Sequence, residues 1–230
     1  MPIKSLRRFG LLRTLPLSEL RRIARISRMD SFPAGTLIFR KSETAHNMFV
    51  VLAGRVKIFS RSGSKKRKTF AYLGPGDFFG EMAVIDNKQR SASAEAVEAT
   101  RLLIIRKADF RRLLLSDARL CFSMLRAFSA RLRQADDEIE SLLYRNILGR
   151  VAKALHDLAN AERIGTGRLV LRQRYTHQEL ADLVGTTREP LSRALSILRE
   201  SGLVESRDGR IVIREPQKLE TLIHNSLRTD

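Results

Sequence analysis

The chain has a single cysteine, Cys121, among 230 residues and no tryptophan. One thiol excludes an internal disulfide and is too few for a cysteine-ligated zinc or iron–sulfur site within one chain. The histidines His46, His156, His177 and His224 show no metal-ligand spacing, so neither a metal nor a haem is expected. No apolar run approaches the roughly 18 residues that a membrane span needs. Residues 1–10 carry Lys4, Arg7 and Arg8, but no apolar stretch or cleavage site follows them to make a secretion signal. The expectation is a protein of the cytoplasm with no membrane partner. A Walker loop, a kinase signature, a nucleophile motif and a paired catalytic carboxylate are all missing, so no residue is assigned as catalytic and an enzyme is not expected.

Positive charge, by contrast, is abundant. Lysine and arginine number 43 against 25 acidic residues, a net charge of +18. Such a surface attracts a polyanion by counterion release, with nucleic acid the leading partner and an acidic membrane surface the second. Charge alone does not decide between them, and a local reading element is needed.

Short strands with period-two alternation, cut by glycine turns, run from Ser31 to about Ile105. The clearest are 36–39, 48–52, 55–60, 69–73 and 101–105, the pattern of a small antiparallel barrel or jelly roll. Lys65-Lys66-Arg67-Lys68 falls at an expected hairpin tip and reads as a solvated loop. Helical periodicity follows Lys107. Cys121, Leu125, Phe128, Leu132, Ala135, Ile139 and Leu142 alternate four- and three-residue steps, an a/d heptad seam that calls for a partner helix and favours a parallel homodimer over an internal hairpin. A second amphipathic helix runs through Ile147, Val151, Leu155 and Leu158, residues 160–167 read as a loop, and a basic region of helices with a terminal strand pair begins at Leu169. The chain thus divides into a β-rich part (1–112), a dimerising helix with a hinge (113–145) and a basic helical part (146–230), an α+β fold overall.

Thr176-His177-Gln178-Glu179 has the spacing of a capping box opening a short helix with Leu180, Leu183 and Val184 on its apolar face. Gly185 permits a turn, and Thr187 can cap a second helix that buries Leu191, Ala194, Leu195 and Leu198. Pro190, at the third helical position, removes only an amide without an intrahelical acceptor. Arg188, Glu189, Ser192 and Arg193 group on the exposed face. Arginine can donate twice to guanine, and glutamate can accept from the cytosine amino group. Asp208-Gly209, between 204–207 and 210–213, signals a hairpin that would form a wing.

Gln178-Glu179, Gly185, the string Thr187-Arg188-Glu189-Pro190-Leu191-Ser192-Arg193 and the hairpin resemble the DNA-binding domain of the Crp/Fnr family, which contains the cyclic-AMP receptor protein and the fumarate-nitrate regulator. The resemblance covers nearly the whole chain. It implies that Arg188, Glu189 and Arg193 read bases with help from Ser192, and that Gln178 and Thr176 hold phosphates beside the Thr187 cap. The arginine–glutamate–arginine set is similar to that of members reading a TGTGA-type half-site, while the serine is shared with the fumarate-nitrate branch. The implied partners are double-stranded DNA with palindromic half-sites and RNA polymerase, with activation and repression both open.

A second string, Gly74-Pro75-Gly76-Asp77-Phe78-Phe79-Gly80-Glu81-Met82-Ala83-Val84-Ile85, runs on to Arg90-Ser91-Ala92. A short helix opening at Gly80 would point free amides at an anion, and Arg90 can add a two-pronged phosphate contact. The string resembles the phosphate-binding cassette of cyclic-nucleotide-binding domains. The resemblance implies Glu81 on the ribose 2′-hydroxyl, with Arg90, Ser91 and the amides of Met82 and Ala83 on the cyclic phosphate. An internal ion pair of Glu81 with Arg90, in a relative that lost its ligand, is the alternative. Arg131 matches a position near the purine and is a candidate partner for Glu81. Ala135-Asp136 stands where the best-known cyclic-AMP receptors carry a threonine–serine pair on the adenine amino group. Asp136 could accept from adenine or guanine, and Ser91 is compatible with both. The expected fold is therefore an N-terminal cyclic-nucleotide-binding jelly roll, a long dimerisation helix and a C-terminal winged helix-turn-helix. The expected effector is cyclic AMP, or else cyclic GMP. A regulator of the same family answering another signal, or none, is the second reading. In the DNA-competent state two recognition helices would stand about 34 Å apart, reached by rotation near residues 144–146.

Overall fold

The computed structural model describes residues 16–62, 66–161, 169–171 and 173–226. The chain separates into two compact units, one of residues up to Ser62 and from Thr69 to Leu132, the other of residues 63–68 and Arg133 onward.

The first unit opens with α1 (Leu17–Ile26), whose Leu20 and Ile23 are buried. Eight strands follow: β1 (Ser27–Phe32), β2 (Leu37–Phe39), β3 (Asn47–Ala53), β4 (Val56–Ser62), β5 (Lys66–Leu73), β6 (Phe78–Phe79), β7 (Ser93–Ala96) and β8 (Thr100–Arg106), with α2 (Met82–Ile85) between β6 and β7. They form two four-stranded sheets, β1-β8-β3-β6 and β2-β7-β4-β5. Neither β3 nor β8 alternates in burial as a half-exposed strand would. Phe49, Val51, Leu102 and Ile104 face the interior between the sheets, while Met48, Val50, Leu103 and Ile105 pack with Leu20, Ile23, Phe110 and Leu113. A strand covered by side chains on both faces needs apolar residues at consecutive positions, as Phe49-Val50-Val51 and Leu102 to Ile105 supply. Phe110 and Leu113 come from α3 (Lys107–Ser116).

Next is α4 (Ala118–Tyr144), 27 residues long, which crosses from one unit into the other. Leu120 and Met124 are buried in the first unit's core, whereas Leu125, Leu132, Ile139 and Leu142 of the heptad seam are exposed at 63%, 64%, 56% and 44%. Cys121 is half-buried, its thiol donating to the Leu114 carbonyl at 2.9 Å.

In the second unit α5 (Ile147–Ala161) buries Val151, Ala152, Leu155 and Ala159. Asn160 and Ala161 are thus helical, where a loop is expected from sequence, and the rest of that expected loop lies outside the described residues. Then come β9 (Leu169–Val170), α6 (His177–Val184), α7 (Arg188–Glu200), β10 (Val204–Arg207), β11 (Arg210–Ile213) and α8 (Pro216–Asn225). The expected hairpin forms, Arg207 opposite Arg210, with Asp208 and Gly209 both at positive φ; β9 adds a third strand to it. The sequence reading stops at this hairpin, but α8 follows it and packs on α5. Their approach is so close that a Cβ on Gly149 would lie 1.9 Å from the Ser226 hydroxyl oxygen, which is why glycine stands there. The turn before α5 is fastened to the same place. Asn146 caps the helix by accepting from the Gly149 amide at 2.9 Å and donates its own amide to the Ser226 carbonyl at 3.4 Å, while Arg145 donates to the Ile223 carbonyl.

Candidate functional site

Two clusters of the expected residues are assembled, one in each unit. In the first, Glu81 is the N-cap of α2, so that short helix starts two residues later than the sequence suggests. Glu81 is 1% exposed. Arg131 reaches it from α4, Nη1 to Oε1 at 2.6 Å, and also donates from Nη2 to the Phe78 carbonyl at 2.6 Å. The ion partner of Glu81 is therefore Arg131, in line with one sequence expectation, and not Arg90, whose guanidinium is drawn instead to two backbone carbonyls. The second carboxylate oxygen, Oε2, is buried without a hydrogen-bond partner among the described residues.

Arg90 is 5% exposed, an unusual burial for a guanidinium. It donates from Nη1 to the Gly80 carbonyl at 2.5 Å and from Nη2 to the Asn47 carbonyl at 2.7 Å, and it lies over the Phe39 ring, 4.2 Å from the centroid. Phe39 belongs to a cluster with Phe49 and Phe79, the last two stacked at 5.0 Å. At Gly80 φ is +75° and a Cβ would come 2.6 Å from Arg90 Nη1, so both backbone and space demand glycine. Of the five N–H groups of a guanidinium, two go to these carbonyls, and Nε–H is buried without a partner among the described residues. Met82 and Ser91 are exposed and Ala83 is buried, with the Ser91 hydroxyl 4.0 Å from the Met82 sulfur. Asp136 is exposed and belongs to the second unit.

A buried orphan acceptor on Glu81 and a buried orphan donor on Arg90 are complementary to a ligand that brings a hydroxyl and an anionic oxygen. Burial pushes the Glu81 carboxyl above its ordinary value of 4.5, against the Arg131 guanidinium, its own backbone amide and the Arg90 charge. Burial likewise lowers Arg90, with Glu81 and Glu43 opposing. An acid with a raised folded value binds its proton more tightly folded than unfolded, so Glu81 stabilises the fold most at low pH and that contribution falls as pH rises through its folded value. Comparison with Glu81→Gln isolates this effect. The melting temperature of the native chain relative to the variant is expected to fall as pH climbs from about 4.5 toward neutrality. Asp77, raised mainly by burial, titrates in both proteins and cancels in the difference. A difference that stays flat with pH would mean that Arg131 fully offsets the burial.

In the second unit the capping box at Thr176 is complete. Its hydroxyl accepts from the Glu179 amide at 3.2 Å, and the Thr176 amide and hydroxyl both donate to Glu179 Oε2, at 2.7 and 2.9 Å. Gly185 ends α6 at φ 76°, in the left-handed conformation that lets the chain turn into α7. Thr187 occupies the N-cap of α7 but makes no capping bond with its side chain, contrary to expectation, and stays exposed. Arg188, Glu189 and Arg193 are exposed on the first two turns of α7, opposite buried Leu191, Ala194 and Leu195; Glu189 and Arg193 approach to 3.5 Å. Gln178 is exposed and donates to Asp182 at 2.7 Å. Three features escaped the sequence reading: the aromatic bed under Arg90, the Asn47 carbonyl, and a hydrogen bond between His177 and Ser192. Only the first had a legible signal, a phenylalanine in each of β2, β3 and β6.

Residues 29–117 match the cyclic nucleotide-binding domain family and residues 149–222 the Crp-like helix-turn-helix domain. The chain is similar to the cyclic AMP receptor protein of Thermus thermophilus, 37% identical over 83% of this chain and 86% of the relative. A CRP-like cAMP-activated global transcriptional regulator of Mycobacterium tuberculosis is 27% identical over 93% of this chain and 96% of its own. Among solved structures, the c-di-GMP-responsive global regulator CLP of Xanthomonas campestris superposes with a TM-score of 0.74 at 26% identity, covering 86% of this chain and 99% of that protein. Among the described residues no helix is long and apolar enough to cross a membrane.

Proposed function

Because the chain belongs to the Crp/Fnr family of transcription regulators, we propose that it is a homodimer whose hold on specific DNA is set by a cyclic nucleotide bound at Glu81 and Arg90. It is a DNA-binding regulator with a cyclic nucleotide-binding domain, not an enzyme. The finer reading is carried by one observation, the pair of buried orphan groups on Glu81 and Arg90. Glu81 Oε2 accepts the ribose 2′-hydroxyl, and Arg90 Nε–H turns to the cyclic phosphate, with Ser91 and the amides of Met82 and Ala83 around it, where Gly80 leaves room. Arg131, paired with Glu81, favours the charged carboxylate against the burial that opposes it. Cyclic AMP is the effector the relatives' names support, and cyclic GMP is the alternative.

Two copies join along α4, whose exposed Leu125, Leu132 and Ile139 form an apolar stripe that a soluble helix does not leave uncovered. The dimer presents Arg188, Glu189, Ser192 and Arg193 to the major grooves of TGTGA-type half-sites. Gln178 and Thr187 lie against phosphates, and Thr176, whose own donors are engaged, fixes the start of α6 beside them. RNA polymerase is the further partner, and the cytoplasm the location. Nucleotide acts by binding more tightly to the DNA-competent arrangement, since equal affinity for both arrangements would shift nothing.

The test is calorimetry of the purified chain with cyclic AMP, cyclic GMP and cyclic di-GMP, repeated on Glu81→Ala. Saturable binding of one mononucleotide that Glu81→Ala abolishes, with the dimer intact by light scattering and the effector response lost in a gel shift, is the expected result. A second reading, regulation by another signal or by none, has its own observation: Arg131 already neutralises Glu81 and two protein carbonyls already hold Arg90. A silent titration with DNA binding retained would establish that reading in place of the first.

A further inference from the structure

We infer that His177 is a specificity-determining residue, one that sets what the hydroxyl of Ser192 offers to a base edge. The inference rests on α7 being the reading helix. Its anchor is a hydrogen bond of 2.8 Å between Nδ1 of His177, the first residue of α6, and Oγ of Ser192, one turn into α7. Both residues are half-buried, so the ring is held between the helices and is not a side chain sweeping through solvent.

The neighbours of Ser192 give this bond its meaning. Positions three and four residues apart share a helix face, so Ser192 stands beside Glu189 and Arg188, both exposed. Left alone, a serine hydroxyl within a helix turns back to the carbonyl four residues earlier, here that of Arg188, and offers nothing outward. The imidazole takes the hydroxyl out of that arrangement. A hydroxyl has one proton to donate and two lone pairs that accept. If Nδ1 is bare, Ser192 gives its proton to the ring and turns lone pairs to the groove, where they suit the amino groups of adenine and cytosine. If Nδ1 carries the proton, Ser192 accepts from the ring and its own proton points outward, which suits the acceptors of guanine and thymine. In either state the ring chooses among bases that the serine alone would not separate. His177 touches no base in this scheme; it is a positioning residue.

The competing role for a histidine at the start of α6 is a phosphate contact, and the two roles leave different traces. A phosphate contact weakens binding to every sequence alike and lowers the salt dependence by about one ion. A positioning role alters preference at one base pair of the half-site and leaves the salt slope unchanged.

The experiment selects a preferred site for the native protein from a randomised palindromic library, with and without cyclic AMP. Affinities of the full chain and of His177→Ala, Ser192→Ala and the double variant are then measured at several salt concentrations on that site and its symmetric single-base substitutions. His177→Ala and Ser192→Ala are expected to flatten preference at the same base pair, by about three- to tenfold per half-site, the worth of one hydrogen bond. The double variant should lose no more than either single one, and His177→Gln, whose amide can still bond Ser192, should recover most of the preference. A uniform loss with a reduced salt slope overturns the inference, as does a preference altered by Ser192→Ala but not by His177→Ala. Melting curves identify any variant that merely misfolds, and the small Ser192→Ala change keeps the comparison open if His177→Ala does. Should Arg188→Ala leave base preference untouched, α7 itself would not be the reader. Failure confined to His177 leaves that assignment standing.

Discussion

Arg188→Ala is expected to weaken binding to a TGTGA-type palindrome by roughly thirtyfold to twenty-thousandfold, because a two-pronged arginine–guanine contact is worth about 1–3 kcal/mol and a dimer makes it twice. Arg188 opens α7 and is exposed, while the helix beneath it is held by Leu191, Ala194, Leu195 and Leu198, all buried. Removing the side chain leaves that packing intact, so melting should hardly change. Affinity for random duplex should fall much less, since only general charge attraction is lost there. Fluorescence anisotropy at one fixed salt concentration, on cognate and scrambled duplexes, reads both numbers. Equal losses on the two would show that Arg188 serves the phosphates.

The second large effect is on assembly. Leu132→Glu places a carboxylate on the exposed seam of α4, and in the proposed dimer two of them would meet across the symmetry axis without a partner. An uncompensated buried charge costs several kcal/mol, so the dissociation constant of the dimer should rise by about a thousandfold or more. A lone copy binds one half-site only and forgoes the millimolar effective concentration that its tethered twin provides. DNA affinity should therefore collapse although α6 and α7 are unaltered. Sedimentation at micromolar concentration reports the first effect and a gel shift the second. A variant that remains dimeric would remove α4 from the interface.

How far the sequence foretells this molecule depends on which forces act locally. The capping box at Thr176, the left-handed Gly185 and the Asp208-Gly209 turn are decided by a few adjacent residues, and each is found where expected. The spacing of the α4 seam is legible because helical period is a local property, and Leu120 and Met124 share that period on the adjoining face. Strand β1 is illegible for the converse reason. Ser27 to Phe32 is mostly polar and exposed, and it becomes a strand by pairing with β8, 68 to 78 positions distant in sequence. The effector cassette divides in the same way. Its glycine, glutamate and arginine are readable, but the Asn47 carbonyl and the Phe39 ring that hold Arg90 come from other strands and belong to no string. Nor does any spacing reveal that His177 and Ser192 meet, since the turn between α6 and α7 brings them together.

The docking of α8 changes where motion can originate. The stretch between α4 and α5 looks in sequence like a swivel, yet Arg145 and Asn146 are tied to the end of α8, and Gly149 is wedged against Ser226. A joint splinted on that side does not turn on its own. Residues 145–149 therefore travel with α5 and α8 as one piece, the terminal helix serving as ballast. Deleting the terminal helix would thus loosen the footing of α5, and with it the seat on which α6 and α7 rest.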